Sequence, residues 1–91
     1  MSDIKLEITV YATQWCSDCM LAKHVLKQQG IPYTLVDIDR EPGAAEEVQR
    51  LNGGMKSVPT ILFPDGTVLV EPSRRQLESA LEPYRQSPPA A

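Results

Sequence analysis

Near its start the chain places apolar residues at every second position, then abandons that spacing abruptly. Ile4, Leu6, Ile8 and Val10 alternate with Lys5, Glu7 and Thr9, the period of a strand that turns one face to a core. From Ser17 onward Leu21, Ala22, Val25 and Leu26 fall on one helical stripe instead, and Gly30 with Pro32 supplies a stop. A strand over residues 4–11 that feeds a helix over residues 17–29 leaves only a short turn between them. The helix then crosses back to a second strand, "YTLVDI" over residues 33–38, rich in β-formers and closed by the pattern-breaking "DREPG". Strands separated by helices imply parallel neighbours and right-handed crossovers.

The second half keeps the alternation and then breaks it. "EPGAAEEVQRLNGG" predicts a shorter helix, with Pro42 near its start, early acids Glu46 and Glu47, a stripe of Ala45, Val48 and Leu51, and Asn52-Gly53-Gly54 as terminator. "PTILFPDGTVLV" predicts two antiparallel strands, residues 60–63 and 67–70, joined through the tight-turn dipeptide Asp65-Gly66. "PSRRQLESALEPYR" opens on Ser73 as N-cap and runs through Leu77, Ala80, Leu81 and Tyr84, before a Pro/Ala tail over residues 86–91 that is expected to be disordered. The order β-α-β-α-β-β-α gives an α/β fold, a four-stranded mixed sheet flanked by three helices. At 91 residues and 42% hydrophobic, residues 1–85 suit a single domain with one core, without repeats or linkers.

Charge narrows the function. Nine Lys and Arg against twelve Asp and Glu give a net charge of -3, which does not make the basic field that nucleic acid or an anionic membrane surface attracts. "MSDIKLEITV" has neither a basic n-region nor an unbroken apolar stretch, so no signal peptide is expected, and no segment suits a bilayer span. The expected compartment is the reducing cytoplasm, where a close cysteine pair is more often catalytic or metal-binding than a structural disulfide.

Both cysteines of the chain stand in "TQWCSDCM", Cys16 in the turn after the first strand and Cys19 in the first turn of the helix. The unpaired N–H groups and positive dipole end of a helix N-terminus favour a thiolate, which is the form that attacks a disulfide. Cys16 is then the better nucleophile, and Cys19 is placed to reach back and resolve a mixed disulfide on it. The competing readings are two small apolar thiols packed at a helix end, or half of a zinc site. Zinc wants four ligands, and His24 is the only other Cys or His in the chain. A single C-x-x-C in a βαβ setting therefore points to redox chemistry. Asp37 and Asp39 resemble a paired-carboxylate site but fall at a strand end beside a turn, where capping or solvation is their expected use. His24 beside Lys23 is expected on a wet helix face.

With "WCSDC", "VDID", "NGGMKSVPT" and "DG" in this order, the chain resembles the glutaredoxin family of the thioredoxin fold from Ile4 to about Leu81, and within it the mycoredoxins and related redoxins. The resemblance implies a thiol-disulfide oxidoreductase that reduces protein disulfides, or mixed disulfides with a small thiol, through Cys16 and Cys19. It implies a cis bond before Pro59 beside the active-site cysteines, with Val58 offering its backbone to the substrate. It also implies substrate-binding roles for Trp15, Lys56, Thr60 and Ser73. Independently of any resemblance, Pro59 lacks an N–H and leaves an open backbone edge, and X-Pro is the bond at which cis is cheap.

No tightly bound cofactor is expected. The implied reductant is a low-molecular-weight thiol, namely mycothiol, bacillithiol or glutathione, and the implied partners are disulfide-containing proteins and a flavin-dependent disulfide reductase acting on a monomer. Thr13 stands where many glutathione-using members carry lysine, and Glu71-Pro72-Ser73-Arg74 replaces their Gly-Gly-Cys-Asp-like loop, so the choice of thiol stays open. Lys56 and Arg74 are the cations available to a thiol's carboxylates, or simply solvated charges. The rival reading in another class is an iron-sulfur cluster carrier that uses the first cysteine and a thiol.

Overall fold

The computed structural model describes residues 7–84. β1 (Ile8–Ala12), α1 (Ser17–Gln28), β2 (Tyr33–Asp37), α2 (Ala44–Leu51), β3 (Thr60–Leu62), β4 (Val68–Val70) and α3 (Arg74–Leu81) follow in the expected order, and a 3-10 turn over Glu82–Tyr84 completes the last helix. Strand residues 4–6 and the tail expected to be disordered at 86–91 lie outside the described residues.

β1 is the strand around which the rest is built. The sheet order is β2-β1-β3-β4. β2 runs parallel to β1, with Val10 opposite Leu35, and β3 runs antiparallel to it, with Val10 opposite Ile61. β4 closes the edge antiparallel to β3. Ile8, Val10 and Ala12 point into the main core, where they meet Ala22, Val25 and Leu26 of α1, Leu77 and Leu81 of α3, and Ile61 and Phe63.

The other face of β1 is covered too, which the alternation does not anticipate. Thr9 is only 6% exposed. Ala44 and Val48 of α2 are buried outside the main cluster, and the Tyr11 hydroxyl feels the charges of Glu47 and Arg50 on α2. α2 therefore lies across the face opposite α1 and α3, making the three-layer arrangement of the thioredoxin fold.

The element ends differ from expectation by a residue or two, for local reasons. α2 starts at Ala44 rather than at Pro42 because Gly43 takes the N-cap position at φ 83, a left-handed conformation that glycine adopts without steric cost. β4 starts at Val68 because Thr67 still belongs to the turn, where its amide donates to Asp65 Oδ1 at 2.9 Å and its carbonyl accepts from the Phe63 amide at 2.8 Å. α3 tightens into a 3-10 turn before Tyr84, where Pro83 has no amide to continue the α-helical ladder. Its start is as expected: Ser73 Oγ accepts from the Gln76 amide at 3.1 Å, and Gln76 Oε1 accepts from the Ser73 amide at 2.8 Å, a capping box. Arg74 ties α3 back to α1, donating to Gln28 Oε1 and Glu78 Oε2, each at 3.0 Å.

Two substitutions separate core from surface in this packing. Leu26, at 0% exposure, should cost about 2–5 kcal/mol when changed to alanine. Arg74→Ala removes contacts between half-exposed side chains and should cost under about 1 kcal/mol. Urea unfolding of both variants checks the order; equal losses would mean that the α1–α3 contact is polar rather than apolar in origin.

Candidate active site

After β1 ends at Ala12 the chain turns through Thr13 to Trp15 and enters α1, whose N-cap is Cys16 in extended conformation (φ -96, ψ 113). An N-cap is normally an oxygen that accepts from an amide of the first turn. Here sulfur does it: the Cys19 amide donates to Cys16 Sγ at 3.0 Å. An N–H of a helix's first turn has no partner within the helix, and here the sulfur supplies one. On its other side Cys16 Sγ lies 3.7 Å from the Val58 carbonyl, to which the thiol donates. Both cysteines are free thiols, Cys16 half-buried and Cys19 buried.

The two sulfurs are inequivalent. Cys19, at 0% exposure, is part of the core beneath the loop, and its pKa is pushed up from the ordinary 9.0 to about 12. Burial is the largest cause, followed by the hydrogen bond with Cys16; the charge of Cys16 raises it further. A backbone hydrogen bond from Thr13 and the charge of Lys23 work in the opposite sense. Cys19 is thus the thiol that keeps its proton.

The segment facing Cys16 is held from behind. The Val58-Pro59 bond is cis, and the Pro59 carbonyl accepts from the Glu71 amide at 2.8 Å. Thr60 is fully buried, with its hydroxyl donating to the Ser57 carbonyl at 2.7 Å. Asn52, at the end of α2, donates through Nδ2 to Thr60 Oγ1 at 2.9 Å and to the Met55 carbonyl at 3.5 Å. The sequence pattern marks Asn52 only as part of a helix terminator. The available signal is chemical: a short amide side chain at a helix end competes for nearby backbone groups.

The structure brings Cys16, Cys19 and the Val58-Pro59 segment together. Trp15 adjoins Cys16 in the chain, but its side chain is 90% exposed. Lys56 is exposed. Ser73 is occupied in the capping box of α3, and Thr60 supports the loop from inside. Asp37 accepts from the Asp39 amide at 2.9 Å and lies 3.9 Å from Arg40, so it organises the turn after β2. His24 is exposed. Among the described residues no group of three or more His, Cys, Asp or Glu side chains is clustered to hold a metal ion, and no helix is long and apolar enough to cross a membrane.

Because folding holds the Cys19 proton and the unfolded chain releases it above its ordinary pKa of 9.0, this group contributes stability that is whole below pH 9.0 and is lost as pH rises towards about 12. The reduced protein should therefore lose stability across that alkaline window, and Cys19→Ala should flatten the loss. Denaturation midpoints measured against pH check this; an identical slope in the variant would place the alkaline sensitivity elsewhere.

Comparison with known proteins agrees with the geometry. Residues 8–69 match the family model for glutaredoxin. A Mycobacterium tuberculosis protein named as a glutaredoxin is 40% identical over 78 residues, covering 86% of this chain and 93% of that one. Mycoredoxin 1 of Corynebacterium glutamicum is 36% identical over 76 residues, covering 82% and 92%. The solved structure of a glutaredoxin from Archaeoglobus fulgidus superposes with a TM-score of 0.73 at 22% identity, over 85% of this chain and 87% of that one, a likeness of fold. The sulfur-capped helix facing a cis-proline loop stands in a sequence that matches the family over most of its length: the chain belongs to the glutaredoxin family.

Proposed function

We propose that the protein is a thiol-disulfide oxidoreductase that reduces protein disulfides, or mixed disulfides with a low-molecular-weight thiol, using Cys16 as nucleophile and Cys19 as resolving thiol. The observation that carries this reading is the Cys19 amide donating to Cys16 Sγ at 3.0 Å while the Cys19 thiol itself stays buried and protonated. Cys16 thiolate attacks one sulfur of the substrate, a bond forms between Cys16 Sγ and that sulfur, and the other sulfur leaves as a thiolate. Cys19 then gives up its proton and attacks Cys16 Sγ, which closes the Cys16–Cys19 disulfide and releases the second thiol. The reverse sequence, driven by a small thiol or a flavin-dependent disulfide reductase, regenerates the dithiol.

The backbone of Val58 supports the substrate side of this reading. Its carbonyl sits against Cys16 Sγ, and Pro59 after it has no N–H to compete for a docking chain. The small thiol is mycothiol, bacillithiol or glutathione. The Ser73 amide and hydroxyl are both spent on Gln76, and Thr13 carries no charge, so neither supplies an obvious carboxylate site as they stand. Of the two cations the sequence offers for a thiol's carboxylate, Arg74 is engaged with Gln28 and Glu78, and the exposed Lys56 is the one proposed to meet it. A reducing cytoplasm is the compartment that suits a disulfide reductase.

Replacing each cysteine separates the two roles. Cys16→Ser should reduce disulfide reductase activity to the uncatalysed level. Cys19→Ser should accumulate a mixed disulfide on Cys16 and keep activity only towards small mixed disulfides. Intact-mass and peptide mass spectrometry after incubation with oxidised glutathione, mycothiol or bacillithiol identify both the modified cysteine and the preferred thiol. Adducts found on Cys19 of the unmodified protein would reverse the assignment.

A further inference from the structure

Resolution demands that Cys19, the residue least disposed to ionise, become a nucleophile at the moment when a mixed disulfide stands on Cys16. Two of the forces that hold its proton come from Cys16 itself, the hydrogen bond between the sulfurs and the charge on Cys16. When Cys16 Sγ enters a mixed disulfide the charge is gone and the hydrogen bond is reduced to that of a neutral, weakly accepting sulfur. What then acts on Cys19 is burial on one side, and on the other whatever lies behind the loop.

A small cavity of about 50 Å³ lies behind the loop, lined by Ala12, Thr13, Gln14, Lys23, Leu35 and Asp37. Thr13 borders it and also bonds Cys19 through its backbone. Lys23 stands four residues after Cys19 on α1, so the two side chains share a helix face one turn apart. Asp37 reaches the same cavity from β2 but is turned towards the Asp39 amide and Arg40. No ion pair of Lys23 occurs among the described residues, which leaves its charge available to the sulfur. The charges that act on Cys19 are those of Cys16 and Lys23, both from the α1 end of the loop, and Asp37 of β2 faces Lys23 across the cavity.

We propose that Lys23 is a positioning residue for the resolving step: from the cavity beneath the active-site loop its ammonium favours the Cys19 thiolate once Cys16 is bound to substrate. This rests on the thiol-disulfide function proposed above. The step balances without any further reactant. The Cys19 S–H bond breaks, its sulfur bonds to Cys16 Sγ, the Cys16–substrate S–S bond breaks, and the departing thiolate takes up a proton from water in place of the one Cys19 released. Lys23 keeps its own proton throughout and acts by charge alone. Its effect falls on the second step, since Cys16 meets the Cys19 amide and the Val58 carbonyl, and neither contact involves Lys23.

Reaction of the reduced protein with one equivalent of a chromogenic aromatic disulfide separates the steps. The first aryl thiolate is released by attack of Cys16 and the second by resolution. In Lys23→Gln the first phase should be unchanged. The second should slow by about three- to tenfold near neutral pH, with its pH profile displaced to higher pH, as expected for losing one nearby cation at a partly screened site. Lys23→Arg should restore both the rate and the profile. An unchanged second phase, equal slowing of both phases, or no rescue by arginine overturns the proposal. Absence of a second release in the unmodified protein, or persistence of the first in Cys16→Ser, would instead overturn the underlying function.

Discussion

The hydrogen bond from the Cys19 amide to Cys16 Sγ is the contact on which the rest of the site depends. It caps α1 with sulfur instead of oxygen, so the start of the helix and the location of the proposed nucleophile are set by one contact. An amide of the first helical turn has no partner within the helix, and giving it to a sulfur satisfies the helix while supplying the sulfur with a donor. β1 makes this possible by delivering the chain to the same end of the sheet at which the loop before β3 arrives. Both faces of β1 are covered, by α1 and α3 on one side and α2 on the other, so the strand's end is fixed in position from two directions.

The inequivalence of the two thiols follows from the same geometry. A helix that begins at Cys16 carries Cys19 inward on its first turn, into contact with the core of Ala22, Val25 and Leu26. One sulfur is left at the surface with a donor and the other is buried with a proton. Opposite them, the loop leading to Pro59 has little apolar anchorage between Gly53 and Lys56, all exposed. It is held by polar bonds instead: Asn52 to Thr60, Thr60 to Ser57, and Glu71 to Pro59. Those bonds set where the Val58 carbonyl stands relative to Cys16.

Much of this is legible in the residues alone. The switch from period two to helical period at Cys16 locates the turn, Ser73 marks the start of α3, and Asp65-Gly66 places the edge hairpin, because each of these is decided by local backbone chemistry. What is not legible there is decided by distant contacts. Thr9 has the polarity of a solvated position and is buried because α2 arrives from over thirty residues later. Asn52 has the composition of a terminator, and only the fold brings Thr60 within reach of its side chain. The cavity joining Thr13, Lys23 and Asp37 likewise draws on β1, α1 and β2 at once.

The central claim is that the two thiols are inequivalent, Cys19 being buried and keeping its proton. Carbon-13 labelling of the cysteine Cβ atoms allows each thiol to be titrated separately by NMR in the reduced protein. Cys19 should remain a thiol far above the ordinary 9.0, until about pH 12. Ionisation of Cys19 in the ordinary thiol range would contradict the assignment of resolving cysteine on which the proposed function rests.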